Sequence, residues 1–178
     1  MDPLFHLVIA AFILVLCAHA GITKLAHPER LLPAARVLSG LPEKLLVLAL
    51  PALGILEIVI GVSLFMPVVS PYAAIAAALL FLGYGLLIAR QLARGNRHFD
   101  CGCSLISSPR KTETASRHVA RNLVLVAGAV LLLIPVASRT LVWFDFLNGL
   151  FGLAALLCLY MTFDALAALN PAHGRKLS

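Results

Sequence analysis

The sequence predicts an all-α fold: a polytopic membrane helix bundle of five transmembrane helices, a four-helix core plus one, filling a single domain over residues 1–178. Three observations predict it. The 178 residues are 61% hydrophobic and 12% charged, and mean hydropathy is +0.99. A soluble domain is about 45–50% apolar and about 25% charged, and a chain this short cannot hide the surplus in one core. Five stretches also reach the roughly 20 apolar residues that a spanning helix needs. Lastly, no stretch alternates with the period of two that a membrane barrel requires. A soluble enzyme, a disordered chain and a disulfide-stapled secreted domain are excluded.

The five stretches are residues 4–22, 45–69, 71–89, 119–137 and 141–169. The first resembles a secretion signal, because Ala18-His19-Ala20 reads as a cleavage site. Its leading residues Met1-Asp2-Pro3 lack the basic charge of a signal, so it is expected to stay as a span. The second holds one charge, Glu57, and the third none. Between the first two, Glu29–Leu38 mixes Arg30 and Arg36 with leucine and valine, a pattern suited to lying flat at the membrane interface. The fifth carries Asp145 near its start and Asp164 near its end, with Trp143 and Phe144 as an interfacial aromatic anchor.

The net charge of +6 does not point to nucleic acid. Of the 14 Lys and Arg, only Arg139 falls between the last two helices. The others lie after helices 1, 3 and 5, and the positive-inside rule then predicts an outward amino terminus and an inward carboxyl terminus.

The loop over residues 90–118 carries the clearest chemistry, Asp100-Cys101-Gly102-Cys103. Two thiols one glycine apart close only a small, strained disulfide, and strained disulfides are labile or catalytic. Basic residues outnumber Asp100 and Glu113 in this stretch and favour the reactive thiolate. Two other readings stay open. The cysteines could be idle, or His98, Cys101, Cys103 and His118 could supply the nitrogen and sulfur ligands that zinc or copper accepts.

Inside the spans, Cys17 and Cys158 fall at comparable depth and could form a second redox pair, or simply pack. Glu57 is costly at mid-bilayer and marks a functional position by default. No cation is expected at its depth, so a neutral, proton-handling carboxyl is predicted. Gly54, Glu57 and Gly61 share one face that another helix can approach closely. His19 could shuttle protons, and sits on nearly the opposite face from Cys17. Lys24 could pair with Asp164 or reach to the headgroups. Arg121 and Asn122 open helix 4, where they could hold the cysteine loop or anchor at the interface.

Four segments in order carry a resemblance: Gly21-Ile22-Thr23-Lys24-Leu25, the Pro51–Gly61 stretch around Glu57, Arg94-Gly95 leading to Cys101-Gly102-Cys103, and Arg121-Asn122. In these the chain resembles the MauE family of methylamine utilisation membrane proteins, grouped with DoxX-like redox-associated membrane proteins. The second cysteine is followed by Ser104-Leu105, where many members have Phe-Gly. The resemblance implies a bacterial inner-membrane thiol–disulfide protein that supports maturation of periplasmic methylamine dehydrogenase, acting on its disulfide-rich small subunit through a periplasmic thioredoxin-like partner, MauD. Two alternatives stand beside it: a metal-binding or metal-delivery membrane protein that uses His98, Cys101 and Cys103, or a non-catalytic assembly factor of the same pathway. The wider grouping adds a quinone as a candidate cofactor; no flavin, haem or nucleotide fingerprint is present. The charge pattern puts Cys101 and Cys103 at the cytoplasmic face, whereas the implied substrate is periplasmic. Electron transfer across the membrane reconciles the two, in a direction the sequence leaves open.

Overall fold

The computed structural model describes residues 1–95 and 115–169, apart from the side chains of residues 115, 117 and 163–169. Six helices follow one another: α1 (Pro3–Ala26), α2 (Pro28–Ser39), α3 (Glu43–Ser63), α4 (Ser70–Ala93), α5 (Ala115–Leu131) and α6 (Trp143–Leu169). There are no strands among the described residues. The molecule is a polytopic helical membrane protein. α1, α3, α4 and residues Trp143–Thr162 of α6 are each long and apolar enough to cross a bilayer. α5 is shorter, with an apolar part from His118 to Leu131.

Local chemistry sets the boundaries. Asp2 caps α1 by accepting the Leu4 amide at 2.8 Å, and Pro3 stands in the first turn, where its missing N–H costs nothing. Pro28 disfavours helical geometry at His27, so the chain breaks there and restarts as α2. The stretch expected to lie flat at the interface is thus a helix of its own. Leu31, Ala34, Ala35 and Leu38 turn towards the bundle, while Glu29, Arg30 and Arg36 are exposed. Gly40, at φ +71°, ends α2 in the left-handed conformation that favours glycine, and its N–H bonds the Arg36 carbonyl at 2.9 Å.

The predicted second span runs to residue 69, yet α3 stops at Ser63 and a run of turns leads to Ser70. Pro67 cannot donate a helical bond there. α3 continues across Pro51. α5 likewise ends at Leu131 in tight turns, with the Leu132, Leu133 and Ile134 amides bonding three residues back, ahead of Pro135.

α1 packs antiparallel along α3, α4 along α5, and α6 leans on α1. The core comes from Ala10, Ile13, Leu16 and Cys17 of α1, Ile60 of α3, Ala73, Ala74, Ala77 and Phe81 of α4, and Leu125 and Ala129 of α5. The outward faces are equally apolar: Leu48, Val59, Leu86, Phe151 and Leu159 are all exposed. Only 11% of the α6 apolar window is buried, as suits a helix solvated by lipid.

At the end of the bundle that carries the amino terminus, three charged side chains meet. Arg139 lies 2.6 Å from Asp145 and 3.4 Å from Asp2. The Met1 ammonium donates to the Pro135 carbonyl at 2.6 Å.

Candidate functional site

The site begins where two glycines let helices touch. A β-carbon on Gly21 would lie 2.5 Å from the Gly54 carbonyl oxygen, and one on Gly54 would lie 2.8 Å from that of Gly21. Backbone therefore meets backbone at the α1–α3 crossing, the close approach that small residues permit between membrane helices. Gly61 repeats this less tightly against Leu14 and Cys17. The face shared by Gly54, Glu57 and Gly61 is the one that receives α1.

This crossing positions a charged pair. Lys24 follows Gly21 by three residues and Glu57 follows Gly54 by three. In antiparallel helices those offsets run in opposite directions, leaving roughly 9 Å to span along the axis. The Lys24 stem lies over Gly54, its β-carbon 3.2 Å from where a glycine β-carbon would sit. Its ammonium thereby reaches both Glu57 carboxylate oxygens at 2.8 Å. The two residues are 4% and 1% exposed, so this is a desolvated ion pair. Tyr84 of α4 completes it, donating its hydroxyl to Glu57 Oε1 at 2.5 Å. That length falls in the charge-assisted range for O–H···O⁻. The Lys24 ammonium also stands 5.4 Å from the centre of the Tyr84 ring.

Two expectations are corrected here. Glu57 faces a cation, so the premise of a lone, neutral carboxyl fails. Lys24 does not reach for the headgroups but turns back towards the middle of the bundle; the side chain of Asp164, its other expected partner, lies outside the described residues.

Cavities lie on both sides of the triad. An inner one, about 30 Å³, is bounded by Cys17, His19, Glu57, Tyr84, Arg121 and Asn122 among others. That is room enough for a water molecule with several polar partners. Cys17 and His19 both line it, although their helical spacing points them apart. Leu16 and Ala20 face its centre, and Cys17 and His19 border it from the two flanks of α1. A second cavity, about 100 Å³, lies beneath α2, between Leu31, Ala35 and Leu38 above and Lys24, Tyr84 and Asn122 below. Gln91 of α4, buried to 2% exposure, fastens α2 there by donating to the Val37 carbonyl and, at 3.2 Å, to that of Leu38.

α5 supplies the far wall. His118, Arg121 and Asn122 are all buried on its first turns, and Asn122 donates to the His118 carbonyl at 2.8 Å. The Arg121 guanidinium lies 5.6 Å from the ring centre of Tyr160, whose ring meets Phe12 edge-on at 5.9 Å. Two residues before Tyr160, Cys158 faces the opposite side of α6, exposed and with a free thiol, so the structure does not join it to Cys17. His98, Cys101 and Cys103 lie outside the described residues. Among the described residues no three His, Cys, Asp or Glu side chains cluster to hold a metal ion.

The sequence reading missed Lys24 as the partner of Glu57, and missed Tyr84 and Gln91 altogether. The signal for Lys24 was present: two Gly-x-x-charge segments of opposite sign, on helices that must run antiparallel.

The family model described as methylamine utilisation protein MauE matches residues 2–135. Among curated relatives, the chain is similar to methylamine utilization protein MauE of Methylorubrum extorquens, 36% identical over 76% of this chain and 73% of that one. Its counterparts in Paracoccus versutus and Paracoccus denitrificans are 31% and 28% identical, each over 97% of this chain and 92% of theirs. No solved structure matches.

Proposed function

The chain belongs to the MauE family of methylamine utilisation, and from that premise we propose that it is an inner-membrane thiol–disulfide redox protein that supports maturation of periplasmic methylamine dehydrogenase. The dithiol is Cys101 and Cys103. One thiolate attacks a disulfide of a redox protein on its own side of the membrane, giving a mixed disulfide and releasing that protein's other sulfur as thiolate; a periplasmic thioredoxin-like partner of the MauD kind is served by electron transfer across the membrane. The second cysteine then resolves the mixed disulfide, leaving Cys101–Cys103 oxidised and that protein reduced; the reverse sequence runs the electrons the other way.

The observation that carries this reading is the Cys-Gly-Cys triplet itself, set among basic residues that favour thiolate. The described structure supports it from the flanks. α4 and α5, which bracket the segment, pack together along their lengths, so its ends are anchored on one rigid pair. Arg90 and Arg94 end α4, and Arg121 stands on the first turns of α5.

The test is the redox state of Cys101 and Cys103 in intact cells, read with a membrane-impermeant thiol label. The expected result is a pair whose labelling changes when the thioredoxin-like partner is deleted, together with loss of mature methylamine dehydrogenase in a Cys101→Ser/Cys103→Ser variant. A double variant that matures the dehydrogenase normally would overturn the redox role in favour of a non-catalytic assembly factor.

A further inference from the structure

We propose that Tyr84 and Glu57 form a proton path joining the cavity beneath α2 to the inner cavity at Cys17, with Lys24 holding its charge balance. This goes beyond the redox reading above and does not depend on the Cys-Gly-Cys segment.

Three observations carry it. Tyr84 lines both cavities, so a single side chain bridges the two spaces. Its hydroxyl is in short contact with Glu57 Oε1, at 2.5 Å, and Glu57 lines the inner cavity together with Cys17 and His19. Each cavity has mainly apolar walls with a few polar groups set in them: Ser39, Lys24 and Asn122 beneath α2, and His19, Arg121 and Asn122 inside. A buried ion pair used only as a fastener is seldom better than well-packed apolar side chains. One that stands between two cavities, each carrying polar groups beside it, has a use that apolar side chains cannot supply.

The transfer balances without any change of oxidation state. A hydronium or water proton beneath α2 passes to Tyr84 Oη as the Tyr84 hydroxyl proton passes to Glu57 Oε1. The Glu57 carboxyl gives its proton to water in the inner cavity, and that water protonates the Cys17 thiolate. Tyr84 and Glu57 end as they began, and one proton has moved inwards; the reverse order ionises the thiol. The titratable and charged groups around this route are Lys24 and His19 from α1, Glu57 from α3, Tyr84 from α4, Arg121 from α5 and Tyr160 from α6.

The test places the full chain in vesicles of uniform orientation, with the pH of the two faces set separately. Hydrogen peroxide, small enough for a cavity of water-molecule size, is added, and the oxidation rate of the Cys17 thiol is read by peptide mass mapping. Thiolate is the reacting form, so below the thiol's pKa one pH unit changes the rate about tenfold. Raising the pH by one unit at the α2 face is expected to speed Cys17 oxidation by peroxide about tenfold, while the same change at the opposite face leaves it unaltered. Tyr84→Phe keeps the ring and removes the hydroxyl, and should reduce the response to under about twofold. Ala35→Phe fills the cavity beneath α2 while keeping every group of the triad, and should do the same; it decides the matter should Tyr84→Phe fail to fold. The proposal is overturned by Cys17 following the opposite face, by a full response in the variants, or by a Cys17 that does not react. The readout is the proton at Cys17 alone, so a Cys101–Cys103 pair that never cycles would leave it unchanged.

Discussion

Two charge clusters hold this bundle together, and they differ in what water can reach. At the rim, Arg139 meets Asp2 and Asp145 with about half of its side chain exposed. In the interior, Lys24 and Glu57 meet with almost none. The rim cluster joins an end of the chain to the α5–α6 connection, and solvent can take over its bonds when they break. Bulk water does not reach the interior pair: the Lys24 ammonium is met by Glu57, the Ala20 carbonyl and the Tyr84 ring, and the Glu57 carboxylate by Lys24 and the Tyr84 hydroxyl. Similar distances therefore carry different consequences. The difference teaches that depth rather than bond length ranks the charged contacts of this molecule.

Breaking the interior pair from one side is the largest expected effect. Glu57→Gln or Lys24→Met, each alone, should cost about 3–5 kcal/mol in denaturant unfolding of the detergent-solubilised chain, because each strands a buried charge. The double variant Lys24→Met/Glu57→Leu should regain most of that stability. Single variants that cost no more than a rim substitution would erase the contrast between the clusters.

Next comes the crossing that aligns the pair. Gly21→Ala puts a carbon 2.5 Å from the Gly54 carbonyl, where only backbone could yield. A loss of about 1–3 kcal/mol is expected in the same assay. Gly61→Ala is its control. There the nearest atom is a Leu14 side-chain carbon at 3.0 Å, which can turn aside, so the cost should be clearly lower. Equal costs would mean that the Gly21–Gly54 contact is not what sets the α1–α3 distance.

The smallest effect is expected at the rim. Arg139→Gln should shift unfolding only slightly, and raising the salt concentration should abolish what difference remains. A salt-insensitive loss as large as that of Glu57→Gln would show that the rim is not the weaker cluster.

The fold was legible because hydropathy and length are nearly sufficient for a bilayer protein. The apolar runs give α1, α3, α4, α5 and α6, and the break at His27-Pro28 is visible as a proline. The helix ends were less legible. α3 and α5 stop several residues before their apolar runs do, since hydropathy continues through Leu64–Val69 and Leu132–Ala137 while Pro67 and Pro135 end the helical bonding. The site was legible as residues but not as partners. Glu57 announces itself by its cost, yet its cation lies near the end of α1. Depth counted from helix starts cannot see that α1 is displaced along α3 until Gly21 meets Gly54. Tyr84 gave no warning, because one tyrosine among apolar residues reads as packing. Cys17 and Cys158 looked equivalent by depth, and only helical rotation separates a buried thiol from one that faces outward.

The separation of Lys24 from Glu57 by 33 residues of chain has a consequence for how the protein is made. Membrane helices enter the bilayer in the order of synthesis, and an unpaired Lys or Asp at mid-span costs about 2.5–3.5 kcal/mol on the insertion scale. α1 carries Lys24 and is finished before Glu57 exists, so its last turn is better kept at the membrane surface until α3 arrives. The intervening α2 suits that delay, since an amphipathic helix is at home on the surface. α1 and α3 are then best inserted as a hairpin, their charges neutralising each other as they cross. Assembly order is thus written into the same ion pair that occupies the centre of the finished bundle.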